Sequence, residues 1–342
     1  MAPPAPALPP APVATGVERL TMPEFDVVVY PAVPGPWMVV ALELDGFNVL
    51  QQYALAPLRK AESLQLTMEG NARYALSPGG DLVIRTAKRP REAIEFWSFK
   101  QQHRLRAIET KVAGIDLVGF ISRTQFLVRP VRAGDGAGVL EVWDALSGSK
   151  LREFPVPAYD ARNPYTPIAT AISPDGKLLA IVTDKDGPPR VAFFDLPLGR
   201  RRGETPLAGL AKGAVCAPAG VAFSPDGTRV VLACDLAKGS RVVAWAAATG
   251  RQLVSHDYPD GLRPLMTDEA NYSRRVLDWL GNGPTLLVYG VGFLDLESGK
   301  PIGKLAETGV KGQHVIDRTT VHLIYQTPDK KELGVVKLGG VK

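Results

Sequence analysis

Residues 171–199 read AISPDGKLLAIVTDKDGPPRVAFFDLPLG, and residues 222–250 read AFSPDGTRVVLACDLAKGSRVVAWAAATG. Ser173 and Ser224 are 51 residues apart, and so are Phe194 and Trp245. Two features that recur at one interval without slippage mark an internal repeat. In each copy an apolar strand runs into Ser-Pro-Asp-Gly, a turn sequence. Proline fits its second position, aspartate can hydrogen-bond nearby backbone, and glycine tolerates positive φ. A second strand follows, then a loop, then a third strand ending in an aromatic residue, then a turn closed by glycine. The second strands, LLAIV and VVLAC, are continuous apolar runs, as expected of strands covered on both faces.

The same template fits the rest of the chain with weaker copies. YALSPGGDLVIRT with AIEFWSF places Ser77 and Trp97, and VGFISRTQFLVRP with VLEVWDALSG places Ser122 and Trp143. VLDWLGNGPTLLVYG with GFLDLESG places Leu280 and Leu294, and HVIDRTTVHLIYQ with ELGVVKL places Asp317 and Val336. At the front, FDVVVYPAVPGPWMVVALEL with FNVLQQYAL places Val33 at a turn. Seven units of three or four short strands predict an all-β chain: a seven-bladed β-propeller of four-stranded antiparallel blades. The final unit lacks a fourth strand, while residues 17–22 are strand-like and belong to no unit. Residues 17–22 are therefore predicted to pair with Leu333–Leu338 and close the last blade. This divides the chain into a Pro-rich tail over 1–16 and one propeller domain over 17–342.

The Ser-Pro-Asp-Gly turns, the Trp143-Asp144 dipeptide and the Phe-Asp and Leu-Asp pairs ending at Asp195 and Asp295 resemble bacterial WD40-like repeat proteins. The resemblance spans residues 18 to 338. It departs from that family in having no Gly-His dipeptide and only one Trp-Asp, so the buried histidine network of many WD40 blades is not expected. TolB-like and lactonase-like propellers share similar turns. The resemblance implies a non-catalytic scaffold for protein–protein interaction.

Composition agrees with a folded, turn-rich protein. Hydrophobic residues make up 45% and charged residues 22%, while 34 glycines and 30 prolines exceed average usage. The net charge of +5 is too small to argue for nucleic acid. No apolar run approaches the ~18 residues of a membrane helix, and MAPPAPALPPAPVA has neither the basic nor the continuous apolar region of a secretory signal. A cytoplasmic monomer, contacting neither membrane nor nucleic acid, is the default expectation. Cys216 and Cys234 lie in apolar stretches and read as buried free thiols.

The chemistry-bearing residues point to structure before catalysis. Trp97, Trp143, Phe194 and Trp245 occupy one repeat position and are expected between blades. Asp144, Asp195 and Asp295 also recur, one per unit, and read as turn residues. Asp184-Lys185-Asp186-Gly187 resembles the start of a calcium loop, but no helix follows, and a hairpin turn is the better reading. His103, His256, His314 and His322 have no metal spacing, and no CxxC, HExxH, GxSxG or phosphate loop occurs. No cofactor, metal or catalytic residue is assigned. The basic clusters at 88–91, 103–106 and 200–202 read as solvated loops.

Propeller topology brings the loops between second and third strands to the same face as the blade-joining segments. Arg89, Arg91, Arg132, Arg190 and Arg241, with Arg129 and Lys238, are expected on the former. Tyr159, Tyr165, Tyr258, Arg263 and Tyr272 are expected on the latter. Tyrosine and arginine are the side chains that anchor interfaces, so this face is the candidate site for a protein partner, with a bias to acidic ones. The competing expectation is a propeller-type hydrolase or lactonase using the central channel, which needs carboxylates or histidines converging from several blades. A third is a sensor or adaptor domain of a larger chain.

Overall fold

A computed structural model gives the architecture. It describes residues 10–23, 27–29, 36–67, 72–87, 93–109, 114–131, 138–156, 170–183, 190–207, 217–236, 238–259, 277–288, 292–304, 310–315, 320–326 and 331–339. Strand β1 is Val13–Met22. The first blade is β2 (Val27–Val29), β3 (Trp37–Leu44), β4 (Phe47–Leu55) and β5 (Leu58–Thr67). The second is β6 (Tyr74–Leu76), β7 (Leu82–Ala87), β8 (Ala93–Ser98) and β9 (His103–Glu109). The third is β10 (Gly114–Phe120), β11 (Gln125–Val131), β12 (Gly138–Asp144) and β13 (Ser149–Val156). The fourth is β14 (Thr170–Ile172), β15 (Leu178–Thr183), β16 (Arg190–Asp195) and β17 (Arg200–Pro206). The fifth is β18 (Ala217–Phe223), β19 (Arg229–Asp235), β20 (Ser240–Ala246) and β21 (Gln252–Tyr258). The sixth is β22 (Leu277–Trp279), β23 (Thr285–Val288), β24 (Gly292–Asp295) and β25 (Lys300–Gly303). The seventh is β26 (Val310–Val315), β27 (Thr320–Gln326), β28 (Lys331–Gly339) and, from the other end of the chain, β1.

Each blade is an antiparallel four-stranded sheet in simple sequential order, save for the last, ordered β1-β28-β27-β26. First strands of successive blades touch, β2 with β6, β6 with β10, β14 with β18, β18 with β22 and β22 with β26. They form the inner ring. The molecule is a seven-bladed β-propeller.

Strand periodicity explains how the blades stack. Along β19, Val230, Leu232 and Cys234 point one way and pack with Val182, Val191 and Phe193 of the fourth blade. Val231 and Ala233 point the other way and pack with Leu286 and Val288 of the sixth. A strand buried on both sides must be apolar at every position, as LLAIV and VVLAC are. The same arrangement gives seven clusters, one per inter-blade interface. Trp97, Trp143, Phe194, Trp245, Leu294 and Val336 each pack toward the preceding blade, as the repeat position requires. The cluster joining Met22, Leu333 and Val335 to Met38, Val40 and Tyr53 closes the ring.

The closing strand pairs with the last strand as expected, but residues 17–22 lie opposite Lys331–Val336, displaced by two from the expected Leu333–Leu338, with Val17 opposite Val336, Leu20 opposite Leu333 and Met22 opposite Lys331. It begins at Val13, four residues earlier than expected, and continues past an irregularity between Ala14 and Gly16 to reach Gly339. The chain before Val17 keeps pairing because this register leaves Lys337, Leu338 and Gly339 for Gly16, Ala14 and Val13.

The Ser-Pro-Asp-Gly turns behave as their residues dictate. Ser173 Oγ accepts from Leu178 N at 2.8 Å and donates to Asp175 Oδ1 at 2.7 Å, and Asp175 accepts from Lys177 N. Ser224, Asp226 and Arg229 repeat this at 2.6–3.0 Å. Asp144, Asp195 and Asp295 each accept from backbone N–H groups of the hairpin that follows. The turn positions Val33 and Asp317 and the stretch Asp184–Gly187 lie outside the described residues.

Two expectations are corrected. Cys234 is not a free thiol: it is fully buried and disulfide-bonded. The basic clusters His103–Arg106 and Arg200–Arg202 are not loops but the first residues of the outer strands β9 and β17. An outer strand has solvent at its free edge, so it carries charge where an inner strand carries valine. The cluster at 88–91 lies outside the described residues.

Candidate functional site

Antiparallel order puts the turns between first and second strands, and between third and fourth strands, at one end of every blade. The loops between second and third strands, and the segments leading to the next blade, are at the other end. In the second to sixth blades the turns of the first end are short, four or five residues between strands. At the other end, residues 157–169, 207–216 and 259–276 separate consecutive blades.

The hairpin end is satisfied internally. Arg106 of the second blade donates to the Ser147 carbonyl in the third, and Arg152 of the third donates to the Leu196 carbonyl of the fourth at 2.8 Å and to that of Pro197. His256 Nε2 of the fifth blade meets the Leu296 carbonyl of the sixth at 2.8 Å, and Leu58 N in the first blade donates to Glu18 of the closing strand. Thus the outer strand of one blade clasps a hairpin of the next, and the clasp is repeated across the closure. Arg229 adds a second link, donating to the Asn282 and Gly283 carbonyls while its guanidinium lies 4.6 Å from the Trp279 ring centre.

Of the ten residues expected to meet a partner, Arg89, Arg91, Arg132, Tyr159, Tyr165, Arg263 and Tyr272 lie outside the described residues. The other three are on strands at the loop end. Arg190 opens β16, is half-buried, and pairs with Glu204 at 2.8 Å. Arg241, in β20, is buried and grips both carboxylate oxygens of Asp257 through Nε and Nη2. That hydrogen bonding holds the Asp257 carboxyl below its usual range, against the opposing effect of burial. Tyr258 ends β21 and donates its hydroxyl to the Gly299 carbonyl at 2.9 Å. Burial, helped by Asp295, pushes its phenol up to about 12. Arg241 therefore braces the rim of this face, while the Tyr258 side chain is tied to the hairpin turn of the sixth blade. Arg129, expected on a loop, is inside β11 and almost fully buried. Lys238 is exposed, just ahead of β20.

One polar constellation has a pattern that the sequence carries. In the second blade Arg85 donates to Glu95 through Nε at 2.9 Å and Nη2 at 2.5 Å, and to the Thr67 carbonyl of the first blade at 2.6 Å. Trp97 Nε1 and Arg104 Nη1 also donate to Glu95, each at 3.0 Å. The third blade repeats part of it: Trp143 Nε1 donates to Glu141 at 2.9 Å, with Lys150 at 3.4 Å. The signal is Glu-x-Trp with a basic residue opening the outer strand. Burial opposes the Glu95 charge, but the Arg85 charge and the hydrogen bonds from Arg85, Trp97 and Arg104 outweigh it and hold the carboxyl below its usual range. A carboxylate so buried and so fully donated to is a poor base. It locks strands together.

Among the described residues, no group of three or more His, Cys, Asp or Glu side chains could hold a metal ion. No described helix is long and apolar enough to cross a membrane. No family model matches the chain, and no curated protein does. Among solved structures it is similar to a chain of Kuenenia stuttgartiensis hydrazine synthase, at 14% identity, over 92% of this chain and 96% of that one, with a TM-score of 0.56. At that identity the likeness is one of fold, and it agrees with the propeller architecture.

Proposed function

We propose that the chain is a non-catalytic WD40-like scaffold that binds a protein partner through its loop face. The observation that supports this is the difference between the two ends of the blades. At the hairpin end the turns are short and their carbonyls are taken by the neighbouring blade. At the loop end the chain spends its long connections, 157–169, 207–216 and 259–276. Loops held on a rigid frame are where proteins place recognition. Arg89, Arg91, Arg132, Tyr159, Tyr165, Arg263 and Tyr272 supply the anchor types, Arg190 contributes from the rim, Arg241 holds the rim in shape, and Tyr258 is engaged with the sixth-blade hairpin. The arginine excess fits an acidic partner, and opposite charge raises the rate of encounter.

Photo-crosslinking groups placed singly at Arg91, Arg132 and Tyr272, and as controls at Leu146, Leu198 and Thr249 on the hairpins, test the reading in cells. A partner should couple from the first three positions and not from the controls. Coupling from the hairpin end alone would refute it. So would lactone or ester hydrolysis by the purified protein that is lost on chelation, because that is the behaviour of the enzyme alternative.

A further inference from the structure

The hairpins between third and fourth strands carry a pattern that the fold does not require. Segments 99–106, 145–152, 196–202 and 247–253 hold these hairpins and the starts of β9, β13, β17 and β21 in the second to fifth blades. Together they contain nine lysines and arginines and no aspartate or glutamate. They also hold five exposed leucines, Leu105, Leu146, Leu151, Leu198 and Leu253. Leu146 and Leu198 are the most open of these, at 61% and 60% exposure. The segments adjoin one another around the rim. Arg106 reaches the Ser147 carbonyl, Arg152 reaches the Leu196 carbonyl, and Gly250 lies against Thr205 of β17. Arg104, Lys150 and Arg201 have carboxylate partners in Glu95, Glu153 and Glu204. Among the described residues, the exposed Lys100, Arg200, Arg202 and Arg251 form no ion pair.

We propose that this rim is a membrane-surface site, at which the hairpins of the third and fourth blades dip Leu146 and Leu198 into the interface of an anionic bilayer. An edge that only repels other strands needs charge of either sign and no leucine. Here the sign is uniform, and leucine stands at the hairpin tips. Basic side chains are drawn to a negatively charged leaflet, and apolar side chains enter the boundary between headgroups and acyl chains. Arg200 and Arg202 follow Leu198 closely in sequence, and their long stems let the guanidinium groups stay at headgroup level while leucine goes deeper. A nucleic acid would answer the arginines through its phosphates, but its backbone gives leucine nothing to enter. Asp81, Asp175 and Asp226 lie at the same end, held in the turns between first and second strands nearer the axis. Glu297 sits in the sixth-blade hairpin. The molecule therefore meets the bilayer tilted, third and fourth blades first, with these carboxylates lifted clear. The expectation of no membrane contact drawn from the sequence gives way to this, and the basic clusters at 103–106 and 200–202 gain a role. The inference goes beyond the scaffold reading and does not compete with it, since the loop end then faces away from the bilayer.

Flotation of the purified full-length protein with vesicles tests this. The protein should rise with vesicles of phosphatidylcholine and phosphatidylglycerol in equal parts and stay behind with phosphatidylcholine alone. Added salt should weaken the binding. Arg200→Gln combined with Arg202→Gln should lower vesicle affinity by roughly 25-fold, at about fivefold for each basic residue near the surface. Leu146→Ser combined with Leu198→Ser should lower it by roughly tenfold with the charge unchanged. All four side chains are exposed, so both variants should keep the unfolding temperature of the natural chain, as circular dichroism checks. No flotation with the anionic vesicles would overturn the proposal. Leucine variants that float as well as the natural chain would also overturn it, because charge alone would then suffice. Capture of a fluorescent DNA duplex through the same arginines, indifferent to the leucine changes and with no vesicle binding, would assign the rim to nucleic acid instead. No protein partner enters these assays, so their failure leaves the scaffold reading standing.

Discussion

Single residues in this repeat are held by what their neighbours leave no room for. Gly176 closes a Ser-Pro-Asp-Gly turn at φ +69°, and a Cβ there would run into the Ile121 carbonyl oxygen of the preceding blade. Gly227 closes the equivalent turn at φ +71°, but its nearest neighbour would be Pro174 Cδ at 3.9 Å. The two glycines look alike in the sequence and differ in packing. Gly227→Ala should cost about 1–2 kcal/mol, the penalty of a left-handed alanine. Gly176→Ala should cost more than ~3 kcal/mol, since backbone must move as well. Denaturant unfolding of the two variants checks this, and equal costs would refute the packing argument. The third-strand tryptophans differ in a similar way. Trp97 donates to Glu95, whereas the buried Trp245 indole N–H has no partner among the described residues, because Val243 stands where the second and third blades carry glutamate. Trp97→Phe removes a donor from a buried carboxylate and should cost about 1–3 kcal/mol. Trp245→Phe trades some apolar area against an unsatisfied N–H and should stay within ~1 kcal/mol, much as Phe194 serves the fourth blade.

At the scale of the element, the outer strand carries the regularity that holds the blades apart from other chains. It is irregular at one place in the second to sixth blades: Leu105, Leu151, Arg202, Leu253 and Ile302 are each skipped in the pairing next to the third-strand anchor. A bulge twists the strand and spoils its free edge as a template for pairing with another chain. The hairpin before it ends in a left-handed residue, which is Gly148 in the third blade and Gln102, at φ +57°, in the second. Gln102 N still donates to the Ser98 carbonyl at 2.9 Å, as Gly148 N does to Asp144 at 2.8 Å. Gln102→Gly should therefore raise stability by up to about 1 kcal/mol, read as a higher midpoint in denaturant. A loss would mean that the Gln102 side chain, which donates to the Phe99 carbonyl, matters more than its backbone. These elements also show what the sequence made legible. The inner three strands of each blade announce themselves, because apolar runs and turn residues obey local rules. The outer strands β9 and β17 do not: half-exposed edges are written in arginine and histidine, which read as loop. The Glu-x-Trp network was legible in principle, from Glu95, Trp97 and Arg104 against Glu141, Trp143 and Lys150. The bonded state of Cys234 was not, because a cysteine inside the apolar run VVLAC reads like any small buried residue. Of the loop face, the sequence supplied residue types, and the structure adds the roles of Arg190, Arg241 and Tyr258.

The whole molecule is a ring in which every interface depends on the next, and its behaviour with pH and on truncation follows from that. Glu95, Asp144, Asp175, Asp226 and Asp257 all titrate below their ordinary values of 4.5 for glutamate and 3.8 for aspartate. With folded values below unfolded ones, their contribution is complete above the unfolded values and is lost as pH falls through the folded ones. The unfolding temperature should thus stay level near neutrality and drop below about pH 4, with a shallower drop in Glu95→Gln. Tyr53 and Tyr258, raised by burial to about 12, work the opposite way and withdraw stability as pH climbs above the ordinary value of 10. The closing strand sets the last expectation. Val13–Met22 is the outer strand of the seventh blade, and through Met22 it reaches the cluster that seals this blade to the first. Arg19 pairs with Glu332 at 3.4 Å across the seam, and Glu18 accepts from Leu58 N in the first blade. Removing residues 1–9 spares the closing strand and the buried Pro12 ahead of it, and should leave unfolding unchanged. Removing 1–23 strips β28 of its partner, bares its backbone donors and acceptors, and opens the Met22 site. That protein should unfold at a lower temperature and associate through the exposed edge, in a concentration-dependent manner visible by light scattering. A synthetic peptide of residues 10–23 added in excess should restore the monomer. If both truncations behave alike, the ring is not sealed by this strand.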